Sequence, residues 1–216
     1  MGTRGDARVR HPVFARFWAR QASSLEDHGA AGHRQRLLAG VVGRVVEVGA
    51  GTGANFRHYP SAVTEAVAVE PEGHLRDLAR RAASAAPVPV TVVDGTADRL
   101  PADDGAFDAA VVSLVLCTVP DQATALREVH RVLRPGGRLH FWEHVRADRP
   151  GLARVQRLLD ASVWPAFGGG CHTARDTAAA IAAAGFTVDR LERFAFPETQ
   201  VPLPANPQIL GTAVRS

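Results

Sequence analysis

The chain has 216 residues, of which 46% are hydrophobic and 22% charged, so it fits one globular α/β domain and leaves little room for a second. Its formal net charge is +3 and every basic side chain apart from histidine is an arginine, with no concentrated basic patch, which argues against a nucleic-acid-binding protein. The two cysteines, Cys117 and Cys171, cannot form a disulfide framework, and no signal peptide or transmembrane segment is visible. We therefore expect a cytoplasmic protein.

The N-terminal part, residues 1–43, precedes the first strand. Apolar residues between Val13 and Leu38 recur at helical spacing and predict two amphipathic helices. Such helices commonly pack on the edge of a sheet. The alternative is a lid, in which Phe17 and Trp18 fold over a ligand cleft and contact the substrate.

A glycine turn follows the first strand. Arg44 to Val48 form a Val-rich run typical of a buried parallel strand, and Gly49, Gly51 and Gly53 come next, before a helix that we expect to begin at Ala54. A strand, a glycine turn and a helix together bring backbone N–H groups to a nucleotide-like ligand. Gly49, Gly51 and Ala54 also match the NAD pattern, so the turn alone does not decide between NAD and a methyl donor.

The next two strands end in polar residues at the same edge of the sheet. Ala66 to Glu70 form the second strand, Pro71 ends it, and a helix is predicted from Glu72 to about Ala85. Residues 88–93 form a third strand that leads into Asp94-Gly95-Thr96. Because ligands of open α/β sheets lie beyond the carboxyl ends of the strands, these ends predict one binding rim.

The second half continues the alternation of strands and helices. Residues 107–114 predict a fourth strand, 120–133 a helix that stops at Arg134-Pro135-Gly136-Gly137, and 138–145 a fifth strand ending in Glu143-His144. A helical and loop insert at about 150–172 follows, and Thr173 is the expected cap of the next helix. Residues 186–194 and 208–214 predict an antiparallel pair at the sheet edge. The whole is a mostly parallel, seven-stranded α/β sheet with helices on both faces.

Several of these segments together resemble class I S-adenosylmethionine (SAM) dependent methyltransferases. The resemblance covers residues 44–145 and is carried by the glycine turn, Glu70, residues 95–101, Phe107-Asp108 and residues 129–137, of which Leu133-Arg134-Pro135-Gly136-Gly137 is the most diagnostic. Residues 53–56, 59–60, 114–117, 143–145 and 170–175 extend the likeness to the methyltransferase-like 7 group of alkyl-thiol methyltransferases and related bacterial enzymes. Residues 44–216 would then be the methyltransferase domain. In place of the apolar N-terminal anchor of the membrane-associated relatives, the N-terminal residues here are charged.

The resemblance implies a Rossmann-like fold that binds SAM and releases S-adenosylhomocysteine (SAH). The residues expected to bind the cofactor are Glu47, Gly49, Ala50, Gly51, Asn55, Glu70, Pro71, Thr96, Ala97 and Leu114. Among them Glu70 would accept both ribose hydroxyls and Leu114 would pack near the sulfonium. Those expected to contact the substrate are Phe17, Trp18, His144, Trp164, Cys171 and His172.

SAM carries its own activated methyl group, so the protein has mainly to align the acceptor with it. His144 is the preferred helper base and His172 the second choice; the alternative is that His144 is a rim histidine hydrogen-bonded to the backbone. Cys171 is more readily a packed small residue than a nucleophile. Glu143, His144 and His172 have no regular ligand spacing, so no metal is expected.

Three other functions remain open at this point. An acceptor other than a thiol would make the protein an O- or N-methyltransferase of a small metabolite. An NAD-dependent oxidoreductase would retain the first βαβ unit, and a SAM-binding module without activity would retain the whole pocket. We expect a small-molecule acceptor, no nucleic acid, and a monomer or weak dimer.

Overall fold

A computed structural model describes residues 26–162, 164–199 and 202–216. Phe17 and Trp18 lie outside the described residues, so their predicted contact with the substrate stays a prediction. The first described element is a π-helical turn, Glu26–Ala30, which leads directly into a helix, Ala31–Leu38. This helix contacts two strands of the sheet, Leu133–His144 and Pro207–Arg215.

In the described part of the chain, seven strands form one sheet in the order β3-β2-β1-β4-β5-β7-β6. The first five are parallel to one another, whereas β7 is antiparallel to both β5 and β6. The predicted fold, a mostly parallel sheet with an antiparallel edge pair, is thus confirmed. The strands are β1 (Gly43–Val48), β2 (Val63–Val69), β3 (Val90–Val93), β4 (Phe107–Ser113), β5 (Leu133–His144), β6 (Phe186–Ala195) and β7 (Pro207–Arg215).

Helices cover both faces of this sheet, because each strand alternates its buried side chains between two hydrophobic clusters. Val46 and Val112 point into one cluster together with Leu126, and Val45 and Val111 into the other. The helices are α1 (Ala31–Leu38), α2 (Gly73–Ala83), α3 (Gln122–Val132), α4 (Pro150–Asp160), α5 (Trp164–Phe167) and α6 (Thr177–Ala183). The carboxyl ends of β1, β2, β4 and β5 therefore lie at one edge, where the ligand rim was predicted.

The helix predicted after the glycine turn is wrong. Between β1 and β2, all of whose residues are described, the chain forms turns over residues 51–55 and a single 3-10 turn, Phe56–His58. Gly49, Gly51 and Gly53 have positive φ angles of 71°, 57° and 79°, which form the tight turn. The helix expected from Ala54 is limited to one short turn because Tyr59 is extended (φ −62°, ψ 130°) ahead of Pro60. The backbone at the predicted ligand rim therefore comes from a tight loop and not from a helix N-terminus.

Two further boundaries differ from the sequence prediction. The fifth strand begins at Leu133, directly after α3, because Leu133 pairs with Phe107 across a register shift in β4. The cap of α6 is Asp176, whose carboxylate accepts the Ala179 N–H, whereas the expected cap Thr173 bonds to Asp160.

Candidate active site

The glycine turn forms one wall of a pocket at the carboxyl ends of β1 and β4. The pocket is lined by Arg34, Glu47, Gly49, Ala50, Gly51, Thr52, Ala54, Asn55, Ser113 and Leu114. Gly49 approaches the neighbouring loop so closely that a Cβ on it would lie 2.4 Å from Val115 Cγ2. Six of the predicted cofactor residues thus line one cavity: Glu47, Gly49, Ala50, Gly51, Asn55 and Leu114.

Glu47 lies inside the pocket wall as the centre of a buried hydrogen-bond network. Its carboxylate accepts the Asn55 amide N–H at 2.9 Å and the Tyr59 hydroxyl at 2.6 Å. Arg34 donates at 2.7 Å to the Asn55 side-chain oxygen and is itself paired with Glu26. Burial raises the pKa of Glu47 to about 7, although the bonds from Tyr59 and Asn55 lower it. Glu47 therefore fixes the orientation of Asn55 at the pocket.

Glu70, at the end of β2, joins the glycine turn to the start of α2. One carboxylate oxygen accepts the Gly51 N–H at 2.8 Å and the other the Glu72 N–H at 2.9 Å. Burial raises the pKa of Glu70 above its usual range, while these N–H groups act in the opposite direction. Each oxygen retains a second lone pair that can accept a ligand hydroxyl.

Leu114 has an unusual backbone conformation at the end of β4. Its φ angle is 59°, which makes it the one non-glycine residue with positive φ in the described part of the chain. The strain is held in place because the Leu114 N–H donates at 2.7 Å to the Trp142 carbonyl of β5. The neighbouring Ser113 hydroxyl is buried, and no described residue accepts or donates to it. These features place an orphaned polar group and a strained residue beside the glycine turn.

Glu143 organises the loop that follows Leu114. Its fully buried carboxylate accepts the backbone N–H groups of Val115, Leu116 and Cys117 at 2.8–3.0 Å. Burial raises the pKa of Glu143, and the three N–H groups oppose that shift. Because three successive N–H groups converge on one side chain, the path of the loop is fixed from β5.

His144, next to Glu143, lies between the two cysteines of the chain. Its Nδ1 is 3.5 Å from Cys117 Sγ and 3.6 Å from Cys171 Sγ. The hydrogen bond with Cys171, burial and the Glu143 charge hold the pKa of Cys117 well above its usual value. Burial lowers the pKa of His144, but the contacts with Cys117 and Glu143 outweigh it and leave the pKa raised. The raised pKa keeps the Cys117 thiol protonated in this arrangement.

The other predicted residues occupy the surroundings of this site. Thr96 and Ala97 lie on the loop after β3, outside the lining of the glycine-turn pocket, and the Pro71 carbonyl accepts from Arg76. His172 Nδ1 is 3.9 Å from Asp160, so its ring faces α4 and not the Cys117 sulfur. The Trp164 indole N–H is buried and finds no acceptor among the described residues.

Sequence reasoning missed Arg34, Ser113 and the meeting of Cys117 with Cys171. Arg34 is 8% exposed and lines the pocket, yet it stands in an arginine-rich chain where no arginine is distinctive by itself. Cys117 was noticed as part of a resemblance, but its contact with Cys171 is formed only by the fold.

Comparison with known proteins agrees with this geometry. The sequence profile of the family described as a methyltransferase domain matches residues 46–141. Human thiol S-methyltransferase TMT1B is 34% identical over 82% of this chain and 74% of its own, and human TMT1A is 34% identical over 79% and 70%. An uncharacterized methyltransferase of Mycobacterium tuberculosis is 40% identical over 55% of this chain and 46% of its own.

Solved structures show the same fold. A SAM-dependent methyltransferase from Thermotoga maritima superposes with a TM-score of 0.68 at 22% identity, covering 94% of this chain and 98% of that one. A geranyl diphosphate methyltransferase in complex with SAM gives 0.68 at 17% identity, covering 100% and 93%. At these identities the likeness concerns the fold alone.

The fold, the glycine-turn pocket and the matching family profile define a class I SAM-dependent methyltransferase, so SAM is the cofactor and the NAD alternative is set aside. Within that class the chain belongs to the family that contains the thiol S-methyltransferases TMT1A and TMT1B. No helix in the described ranges combines the length and apolar character that a bilayer crossing requires.

Proposed function

We propose that this protein transfers the methyl group of SAM to the sulfur of a small-molecule thiol. The observation that carries the proposal is its 34% identity to human thiol S-methyltransferase TMT1B over 82% of the chain. The cluster of His144 with two cysteines, a few residues from the cofactor pocket, is a sulfur-rich environment that suits such an acceptor.

In this proposal the glycine turn and Arg34 hold the amino-acid part of SAM. Two bonds to Glu26 and Asn55 fix the Arg34 guanidinium, whose remaining N–H groups can meet a carboxylate in the pocket. Glu70 accepts the ribose hydroxyls, and Leu114 packs beside the sulfonium. Thr96 and Ala97, on the loop after β3, face the adenine, with Pro71 beside the ribose.

The transfer itself needs little chemistry from the protein. The acceptor thiol loses its proton, its sulfur forms a bond to the methyl carbon, and the carbon–sulfonium bond breaks with its electron pair remaining on the sulfur of SAH. A free thiol is already a few per cent ionised at neutral pH, so alignment and exclusion of water supply much of the rate. In this proposal His144 accepts the proton of the acceptor thiol when no metal is bound, and Trp164, Cys171 and His172 form the acceptor side of the cleft.

The test is an acceptor panel with labelled SAM, matched in size: an alkyl thiol, an aryl thiol, a phenol and an amine. We expect label in the two thioether products alone, and a reduced rate for His144→Ala but not for His74→Ala, which removes an exposed histidine of α2. Transfer to the phenol or the amine alone would overturn the thiol assignment. SAH binding, followed by thermal shift, reports separately whether the cofactor pocket is intact.

A further inference from the structure

We propose that Cys117, His144 and Cys171 form a metal site for a soft divalent cation such as Zn²⁺. Their ligand atoms, two Sγ and one Nδ1, all lie within 4.8 Å of one another. With Zn–S of about 2.3 Å and Zn–N of about 2.0–2.1 Å, tetrahedral angles separate a sulfur from a nitrogen ligand by about 3.5 Å. The observed Nδ1–Sγ distances, 3.5 Å and 3.6 Å, equal that separation.

The three ligands are presented by different elements that are fixed to one another. Cys117 stands in the loop after β4, whose N–H groups are bound by Glu143, and His144 is the residue next to Glu143 on β5. Cys171 belongs to the loop after α5, and the His172 N–H donates at 2.7 Å to the Cys117 carbonyl. Ligands held by such neighbouring hydrogen bonds lose little freedom when a metal binds.

Close packing of the loops supports the same arrangement. Gly170 has a φ angle of 91°, and a Cβ on it would lie 3.1 Å from the Thr118 carbonyl, so a glycine is needed for the Cys171 loop to approach the Cys117 loop. These ligands differ from Glu143, His144 and His172, the set whose spacing predicted no metal. In the structure the Glu143 carboxylate is occupied by backbone N–H groups and His172 faces Asp160.

The cluster supplies three protein ligands from the described residues, which leaves a tetrahedral cation one position for an external ligand. The buried Trp164 indole N–H, unmatched by any described acceptor, lies next to Cys171: both Trp164 Nε1 and Cys171 Cβ are within 3.4 Å of the point where a Gly168 Cβ would stand. A spare donor beside the cluster fits a site that is completed by an electron-rich ligand.

The identity of the external ligand rests on the proposed function: we infer that it is the acceptor thiol. On binding Zn²⁺ the thiol releases its proton to solvent and becomes a coordinated thiolate. That sulfur then forms the bond to the methyl carbon, the carbon–sulfonium pair departs with SAH, and the neutral thioether leaves the cation. His144 serves as a ligand in this route, so the cation and not the imidazole ionises the thiol.

Cobalt substitution tests the site directly. The full chain is prepared without metal, titrated with Co²⁺, and followed by absorption for the thiolate-to-cobalt charge-transfer band and the visible bands of tetrahedral cobalt. We expect one equivalent to bind, and the charge-transfer band to be lost in the Cys117→Ser, Cys171→Ser double variant. His144→Ala should bind cobalt at least about tenfold more weakly, and His74→Ala should bind as the parent does.

An alkyl thiol is then added to the cobalt protein, and we expect the visible bands to shift. SAH-induced thermal stabilisation of every variant shows that the fold and the cofactor pocket remain. If the parent and the double cysteine variant give the same cobalt spectrum, the metal site is overturned. SAH binding by both proteins would then show that the assignment as a methyltransferase is unaffected. If cobalt binds but its visible bands do not shift when a thiol that the enzyme methylates is added, the proposed role of the metal in binding the acceptor is overturned. Absence of thiol methylation by the zinc-loaded enzyme, with metal still bound, would count against the proposed function alone.

Discussion

The backbone N–H of Cys117, in the loop after β4, donates at 3.0 Å to the carboxylate of Glu143 on β5, the parallel neighbour of β4 in the sheet. The same carboxylate binds the two preceding N–H groups of the loop. One fully buried acid on β5 thus fixes the loop that runs from Leu114, which lines the glycine-turn pocket, to Cys117 at the candidate acceptor site.

Replacing this acid should loosen the loop. In Glu143→Gln the amide nitrogen faces a backbone N–H that it cannot accept, so a hydrogen bond is lost. A hydrogen bond to a charged acceptor is worth about 1.5–3 kcal/mol. We expect a loss of about 2–3 kcal/mol, which for a domain of this size lowers Tm by roughly 5–10 °C. Differential scanning calorimetry measures it. Glu65→Gln, which removes one exposed ion pair with Arg44, is the matched control and should change Tm by no more than about 2 °C. Equal shifts for the two variants would refute the role of Glu143.

Glu47 should make stability depend on pH. Burial raises its pKa in the folded protein to about 7, against about 4.3 in an unfolded chain. A carboxyl with a raised pKa contributes stability that is fully present below about pH 4.3 and is lost as pH rises through about 7. The difference in unfolding free energy between the parent and Glu47→Gln should therefore fall by about 2–3 kcal/mol between pH 5 and 8.

Urea unfolding at pH 5, 6, 7 and 8 provides these free energies. The side-chain oxygen of the glutamine can still accept the Asn55 amide N–H. The Tyr59 hydroxyl can rotate so that its oxygen accepts the N–H of the glutamine amide. The comparison with Glu47→Gln cancels the contribution of Glu70, whose pKa is also raised by burial. A parent-minus-variant difference that stays constant over this range would contradict the prediction.

Leu114 should respond to glycine in an unusual way. At a φ angle of 59° a side chain costs about 1–2 kcal/mol, so Leu114→Gly should be more stable than Leu114→Ala by about 1 kcal/mol. Both variants should bind SAH more weakly because they lack the side chain that we propose packs beside the sulfur of the cofactor. At Val115, where φ is not positive, the order should reverse and alanine should be the more stable. Thermal unfolding of the four variants checks the order.

Glu70 should govern cofactor affinity. Glu70→Ala removes the acceptor of the Gly51 N–H and the proposed acceptor of the ribose hydroxyls, so we expect the Kd for SAH to rise by about 10- to 100-fold. Isothermal titration calorimetry gives the value. Asp77→Asn, which affects only an exposed pair with Arg80 on α2, should leave Kd within about twofold. An unchanged Kd for Glu70→Ala would exclude the ribose contact.

Much of this protein could be predicted from its sequence because the relevant signals are local. The Val-rich runs, the glycine turn and the Leu133–Gly137 segment predicted the sheet and the cofactor correctly, and helical spacing predicted the helices Gly73–Ala83 and Gln122–Val132. The prediction of a helix after Gly53 failed, since Tyr59 is extended before Pro60 and the segment between them has room for a single 3-10 turn only. His144 lies 27 residues from each cysteine, a separation that only the fold closes. Arg34 depends likewise on a distant partner, Asn55.

The position of β7 has a consequence for how the chain matures during synthesis. Pro207–Arg215 leave the ribosome after β6, yet they lie between β5 and β6 and pair His144 with Gln208. Until they emerge, β5 has β4 as its one neighbour and β6 has no partner strand in the sheet. The strand that carries Glu143 and His144 is therefore completed late, and we expect a nascent chain halted before residue 207 to display an open, aggregation-prone edge.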